Sequence, residues 1–267
     1  MAKKIRLDQL LVQRGLFPSR EKAQSSIMAG LVRVGGLMSD KCGTPVADDA
    51  QVEIVGKPHP YASRGGLKLQ RALEVLHWDI TDVEAIDLGA STGGFTDCLL
   101  QHGAARVCAV DVGRGQLDLK LSQDPRVIVK DKTNARYLQL EDLPFAPQLV
   151  TIDTSFISLR LLLPVVWAWE APRLITLIKP QFETEAKYLR KGVVVDPKVQ
   201  EAVLERILAS AEQEGWQAVA LSHSPLRGPA GNLEFVAGFV RSGTKPTESA
   251  VRFDYQHIVA QAHQLAV

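Results

Sequence analysis

Between residues 81 and 241 short apolar runs alternate with longer amphipathic stretches. The runs at 84–88, 106–111, 126–130, 148–153, 173–178, 216–222 and 233–240 have the length and composition of buried strands. Helical spacing fits 93–102, 159–169 and 197–214. Strands and helices that take turns predict a doubly wound α/β fold. No helix separates the last two strands, which predicts that they pair antiparallel. Upstream, Leu7, Leu10 and Leu11 share one face of a helix that opens at Ile5 and ends before Gly15. A second helix starts at Pro18, with Ser19 as cap, buries Ala23, Ile27 and Met28, and stops at Gly30. A strand and turn follow at Leu31–Gly36, and Val46 to Val55 supplies a closing strand. Residues 56–61 hold two prolines and no periodicity, as a hinge would. A helix then begins at Ser63 and runs to about His77, with Leu69, Leu73 and Leu76 at core spacing. Val251, Ile258, Val259 and Ala262 predict one terminal helix over 245–267. The pattern divides the chain into a small head (1–56), a linker (57–62) and a body (63–267).

Composition is that of an ordinary globular protein of 267 residues. No stretch reaches the roughly 18 apolar residues of a spanning helix. The polar and charged start is not that of a signal peptide, which leaves the cytoplasm as the expected compartment. Cys42, Cys98 and Cys108 form no metal or redox motif, and the histidines show no ligand spacing, so no metal is expected. Net charge is only +1, but it is unevenly spread. Residues 1–71 carry 12 Lys and Arg against 6 Asp and Glu, while the remainder carries 19 against 24. A basic head on a mildly acidic body suits a polyanionic partner.

The most informative stretch is Asp87-Leu88-Gly89-Ala90-Ser91-Thr92-Gly93-Gly94. It reads as a strand end, a tight turn and a helix start, with Ser91 or Thr92 available as cap. Ligands of open α/β sheets bind at such strand ends. The spacing G-x-x-x-G-G is not the dinucleotide fingerprint G-x-G-x-x-G. Asp87 would repel a pyrophosphate but tolerates a ligand with a sulfonium and an amino group. That favours S-adenosylmethionine over a nicotinamide dinucleotide. The next strand ends in Asp111, roughly 20 residues past the turn, where a carboxylate suits a ribose diol. Asp131 to Asn134 follow the third strand and are placed to frame an adenine.

Two further strands end in ionisable groups, Asp153 and Lys179. With Asp87 and Asp111 they converge on one sheet edge, where charges are costly unless paired or bound to ligand. Lys68 lies at a helix start, where a cation gains nothing from the helix dipole, so it more plausibly faces a substrate. Glu234 interrupts an apolar run after a Gly/Pro-rich loop.

The head resembles the S4 RNA-binding domain through Arg6-Leu7-Asp8, Ser19-Arg20-Glu21-Lys22-Ala23, Gly30-Leu31-Val32 and Val34. That resemblance implies phosphate contacts from Arg6, Arg20, Lys22 and Arg33, which position RNA without reading its sequence. The whole chain resembles the TlyA, or haemolysin A, family of rRNA methyltransferases. Its carrying motifs are Ser63-Arg64-Gly65-Gly66-Leu67-Lys68-Leu69, the turn from Asp87 to Thr96, Asp111 to Leu117, Ile152 to Leu159, Lys179-Pro180-Gln181-Phe182-Glu183, and the loop ending at Glu234. The family joins an S4 domain to an FtsJ-like domain of the class I, Rossmann-like methyltransferase fold. It implies 2′-O-methylation of cytidine in 23S rRNA, with 16S rRNA as a further target that the sequence leaves open. By motif, a Lys-Asp-Lys-Glu tetrad falls on Lys68, Asp153, Lys179 and Glu234. The cofactor set implied is Asp87, Gly89, Ala90, Ser91, Thr92, Gly93, Gly94, Asp111, Val112 and Asn134, and Arg64 joins the RNA contacts. Whether Lys179 takes a proton or only orients the ribose oxygen stays open in the sequence. Two other readings compete, a membrane-active haemolysin and a ribosome assembly factor without catalysis.

Overall fold

The computed structural model describes residues 4–17, 19–28, 30–39, 41–55, 59–228, 230–243 and 252–265, side chains at 21, 22, 25 and 28 excepted. The chain divides into two compact units, Met1–Arg64 and Gly65–Val267.

The first unit contains β1 (Lys4–Arg6), α1 (Leu7–Gln13), α2 (Arg20–Met28), β2 (Val32–Val34), β3 (Leu37–Met38), β4 (Pro45–Ala47) and β5 (Val52–Ile54). Its core is Leu7, Leu10, Leu11, Ala23, Ile27, Val32 and Val46, all buried. Ile5 and Arg6 form a strand paired with β4 rather than the first turn of a helix. The Ile5–Val46 rung puts both side chains against that core, a tertiary gain that helix propensity does not offer. The predicted closing strand is two strands. Asp48 and Asp49 turn the chain, with the Ala50 N–H on the Ala47 carbonyl at 3.0 Å, so β4 pairs with β1 and β5 with β2. Gly30 ends α2 at φ 68°, with the Leu31 N–H returning to Ser26 O at 3.0 Å.

The second unit opens with α3 (Gly65–Leu76), which buries Leu69, Ala72 and Leu73. There follow β6 (Glu84–Leu88), α4 (Gly94–Gln101), β7 (Arg106–Val110), α5 (Leu119–Ser122), β8 (Val127–Lys130), β9 (Leu149–Ile152), α6 (Leu163–Ala168), β10 (Arg173–Ile178) and α7 (Pro180–Glu183). The hairpin β11 (Leu189–Arg190) and β12 (Val193–Val194), α8 (Pro197–Gln213), β13 (Trp216–His223), β14 (Phe235–Arg241) and α9 (Tyr255–His263) complete it. Seven strands form one sheet in the order β13-β14-β10-β9-β6-β7-β8. Neighbours from β10 to β8 are parallel, whereas β14 runs antiparallel to both β10 and β13. Ile86, Leu88, Val150, Ile152, Leu174 and Ile178 join Trp169, Trp216, Phe235 and Phe239 in one core.

Two expectations need correction in this unit. The helix expected over 159–169 is a 3-10 turn at Leu159–Leu161 followed by α6. Pro164 lacks the N–H that would bond back into the preceding turn, so the α-helix restarts with it at the N-terminus. The terminal helix begins only at Tyr255, capped by the Asp254 side chain on the His257 N–H, and Val251 lies outside the described residues.

Phe239 is wholly buried at the middle of the antiparallel pair. Phe239→Ala should cost about 3–5 kcal/mol in urea unfolding, the range for an aromatic deletion that leaves a cavity.

Candidate functional site

The sheet brings four side chains to one edge. Asp153 follows the last residue of β9, and Lys179 follows the last residue of β10. Because Ile178 pairs with Phe235 in the antiparallel rung, the next position sets Glu234 beside Lys179. Lys68 comes from the first turn of α3, which packs on α4, β13 and β14. Lys68, Lys179 and Glu234 are buried, and Asp153 is half-buried.

These charges are satisfied as two pairs. Lys68 Nζ donates to Glu234 Oε2 at 2.5 Å. Lys179 Nζ lies 2.6 Å from Asp153 Oδ1 and donates to Ser155 Oγ at 3.1 Å. A buried charge left alone costs several kcal/mol, so each partner is a condition for the other's presence. Gly228 gives Glu234 its room, since a Cβ there would sit 2.6 Å from Glu234 Oε1.

The glycine turn lies one strand away. The Asp153 N–H donates to the Leu88 carbonyl at 2.9 Å, so the end of β9 and the turn after β6 are contiguous. Gly89 has φ 84°, and a Cβ on it would meet the Asp153 carbonyl oxygen at 2.8 Å. Gly93 has φ 93°, and its Cβ would fall 2.3 Å from Leu121 Cδ1. Only glycine serves at both positions, and the result is a bare backbone cradle. Ala90 and Gly94 are buried, Thr92 is half-buried, and Ser91 is exposed with φ 48°. Neither Ser91 nor Thr92 caps α4. Its N-cap is Gly93, in the left-handed region and without a side-chain cap.

Asp111 stands across the turn and accepts the Ser91 N–H at 2.8 Å and the Gly113 N–H at 2.7 Å. A carboxylate has about four acceptor positions, so lone pairs remain for a diol. Val112 is exposed beside it, and the exposed Asn134 uses its side-chain oxygen to cap the turn at Arg136 (3.0 Å). Asp87 is placed differently from the sequence expectation. It is wholly buried, and its two oxygens accept the hydroxyls of Thr96 (2.7 Å) and Thr151 (2.8 Å) rather than facing the open side of the turn. It braces the cradle from behind. Burial pushes its carboxyl up to about 6, against the two hydroxyl bonds.

In the first unit Asp8 is the centre of the basic cluster. It is wholly buried and accepts Arg6 Nε and Nη2, Arg20 Nε (each 3.0 Å) and Gln24 Nε2 (2.6 Å). The Arg6 bonds, with Gln24 and Arg20, outweigh burial and hold its carboxyl well below the usual carboxylate range. Arg6 and Arg20 keep 45 % and 49 % of their side chains exposed. Each therefore keeps part of a guanidinium open to solvent while the rest is fixed. Arg33 is half-buried on β2, Arg64 Nη1 lies 3.7 Å from Met38 Sδ, and the Lys22 side chain lies outside the described residues.

Sequence reasoning missed Ser155, Thr96, Thr151 and Gly228. Ser155 was within reach, being two residues past Asp153 on an extended loop. The two threonines come together only through the β6–β9 register, in which Asp87 faces Thr151. Among the described residues no trio of His, Cys, Asp or Glu is placed to hold a metal.

Comparison with known proteins decides the family. Residues 61–241 match the FtsJ-like methyltransferase model, and residues 5–52 match the S4 domain. The TlyA protein of Mycobacterium tuberculosis, named a 16S/23S rRNA (cytidine-2′-O)-methyltransferase, is 42 % identical over 88 % of this chain and 89 % of its own length. The chain belongs to the TlyA family. YqxC of Bacillus subtilis is 47 % identical, over 88 % of this chain and 85 % of its own. A solved Streptococcus thermophilus structure that carries the hemolysin name superposes with a TM-score of 0.75. It is 40 % identical and covers 98 % of this chain and 97 % of its own. The fold is accordingly the methyltransferase α/β sheet preceded in sequence by an S4 domain.

Two outcomes test this description of the TlyA-family site. Gly89→Ala should destabilise the second unit by about 1–3 kcal/mol in urea unfolding, because its Cβ must displace the Asp153 backbone. Asp87, raised above its ordinary 3.8 by burial, binds its proton more tightly folded than unfolded. Its contribution to stability therefore falls as pH rises from about 4 to about 6. Asp87→Asn should remove that part of the slope when unfolding free energy is measured from pH 4 to 7.

Proposed function

We propose that this protein methylates the ribose 2′-oxygen of cytidine in ribosomal RNA, with S-adenosylmethionine as donor. The pairing of Lys179 with Asp153 at the strand ends, beside the bare glycine turn, carries the reading. The 42 % identity to a relative named for this reaction on 16S and 23S rRNA supports it. Bound S-adenosylmethionine supplies an electrophilic methyl group on sulfur. The backbone of Gly89 to Gly94 would hold its methionine end, Asp111 the ribose diol, and Val112 and Asn134 the adenine side.

A ribose hydroxyl is a weak nucleophile until its proton is taken or polarised. Lys179 meets that oxygen and aligns it with the methyl carbon. As the oxygen–carbon bond forms and the methyl carbon's bond to sulfur breaks, the hydroxyl proton would pass to the Asp153 carboxylate, the one group of the Lys179–Asp153 pair with a lone pair to accept it while Lys179 is an ammonium. Ser155, bonded to the same Nζ, keeps the ammonium from rotating away. Lys68 and Glu234 form a second neutral pair that steadies the ribose from the α3 side. Placement of the two reacting atoms supplies much of the rate.

The first unit brings the substrate. Arg6 and Arg20, prearranged on Asp8, with Lys22, Arg33 and Arg64, are assigned to RNA phosphates. We take residues 1–56 as this RNA-binding head, 57–62 as the linker and 63–267 as the catalytic body. Among the described residues no helix is long and apolar enough to cross a bilayer.

Labelled methyl transfer to ribosomal subunits that lack the modification provides the test. Wild type should label a 2′-O-methylcytidine, and Lys179→Ala should lose at least about a hundredfold in rate. The labelled subunit identifies the target. Absence of transfer to either subunit, with S-adenosylmethionine bound, would overturn the reading.

A further inference from the structure

The motif that begins at Lys179 ends on Glu183, a half-buried carboxylate that the methyl-transfer chemistry leaves unused. Its Oε2 accepts the Ser158 hydroxyl at 2.6 Å, and its Oε1 accepts the Leu159 N–H at 2.7 Å. Both donors lie where the loop that leaves β9 at Asp153 enters the 3-10 turn, Ser158 as its cap and Leu159 as its first residue. Earlier in the same loop, Asp153 and Ser155 reach Lys179. Lys179 is the N-cap of α7 and Glu183 its last residue. The loop and the short helix are therefore laced at two points, 153/155 to 179 and 158/159 to 183. Arg206 of α8 donates to the Glu183 carbonyl and ties the far end of α7 to a long helix.

Between the two lacings stands Phe156. It is 90 % exposed, it has φ 64°, and its ring centroid is 5.0 Å from that of Phe182. A bulky residue in the left-handed region persists only where its surroundings over-determine it. Asp153 and Ser155 hold one side of Phe156, and Ser158 and Leu159 hold the other.

We propose that Glu183 is a positioning residue, a clamp on the 153–159 loop that fixes Asp153 and Ser155 against Lys179. The consequence for rate rests on the methyl-transfer reading, whereas the clamp itself does not. Without the carboxylate the Ser158 hydroxyl and the Leu159 amide lose their acceptor, and the strained backbone at Phe156 is free to relax. The Lys179 ammonium then loses its set direction. Misplacement by about 1 Å at a reacting group costs on the order of a hundredfold in rate.

Three full-length proteins test the clamp: wild type, Glu183→Ala and Glu183→Gln. A glutamine can restore it, its oxygen accepting from Leu159 and its amide donating to Ser158 Oγ. In Glu183→Ala, amides of residues 155–161 should exchange at least about tenfold faster, with the remaining sheet unchanged. The kcat for RNA should fall about 10- to 100-fold while the Kd for S-adenosylmethionine stays within about twofold. Glu183→Gln should return both readouts most of the way to wild type. Wild-type exchange in the alanine variant would overturn the clamp, as would loss of protection throughout the second unit or an unchanged kcat despite a loosened loop. If the wild type transfers no methyl group but the exchange pattern holds, the clamp stands and the methyl-transfer reading fails.

Discussion

Three buried charges and one half-buried charge at one sheet edge have to be matched, and that requirement governs the body of this protein. Lys179 and Asp153 are brought together by two adjacent parallel strands. Lys68 and Glu234 are brought together by a helix and an antiparallel strand far apart in sequence. Removing one member of a buried pair costs about 3–5 kcal/mol, because the other is left unpaired. The reversal of direction at β14 is what delivers Glu234 to this edge. A parallel seventh strand would begin at the opposite end of the sheet and leave Lys68 without its carboxylate.

Two other buried carboxylates show how environment decides charge. Asp8 and Asp87 are both wholly buried. Asp8 accepts from two guanidiniums and an amide, and its charge is strongly favoured. Asp87 accepts from the Thr96 and Thr151 hydroxyls and the Thr96 backbone amide, none of them charged, which compensate burial incompletely, and its proton is held up to about pH 6. The first result suits a residue that must present cations in a fixed arrangement. The second suits a brace behind a ligand turn, where a full negative charge is not needed for the two hydrogen bonds.

Much of this was legible in the sequence, and the reasons for the exceptions are physical. Strand runs such as 84–88 and 173–178 are buried on both faces, so their apolar character alone locates them. The antiparallel ending followed from the missing helix between 222 and 233. Residues at strand ends, among them Asp111, Asp153 and Lys179, were found because the end of a parallel strand is where a charge has a purpose. A three-residue strand carries no periodicity of its own, so only the pairing of Ile5 with Val46 reveals β1. Local sequence places Asp87 next to the turn but does not say which face of the strand looks toward it. Its partners, Thr96 and Thr151, lie 9 and 64 residues away.

The same distinction separates the groups proposed for the chemistry from those that hold them. Asp153, Lys179 and Glu234 sit one residue beyond a strand, where the sheet fixes the backbone and the side chain is free to reach outward. A strand end positions its own residue well, but it says nothing about the residues that follow. Past Asp153 the chain has no ladder to follow, yet Ser155 must still meet Lys179. The lacing by Glu183 and the tie from α8 to α7 carry the order of the sheet into that loop. The exposed Phe156 is the visible consequence, a large apolar side chain held in water on strained backbone between two fixed points. A bulky residue keeps a positive φ only where its surroundings over-determine it, so the conformation agrees with a segment held from both ends.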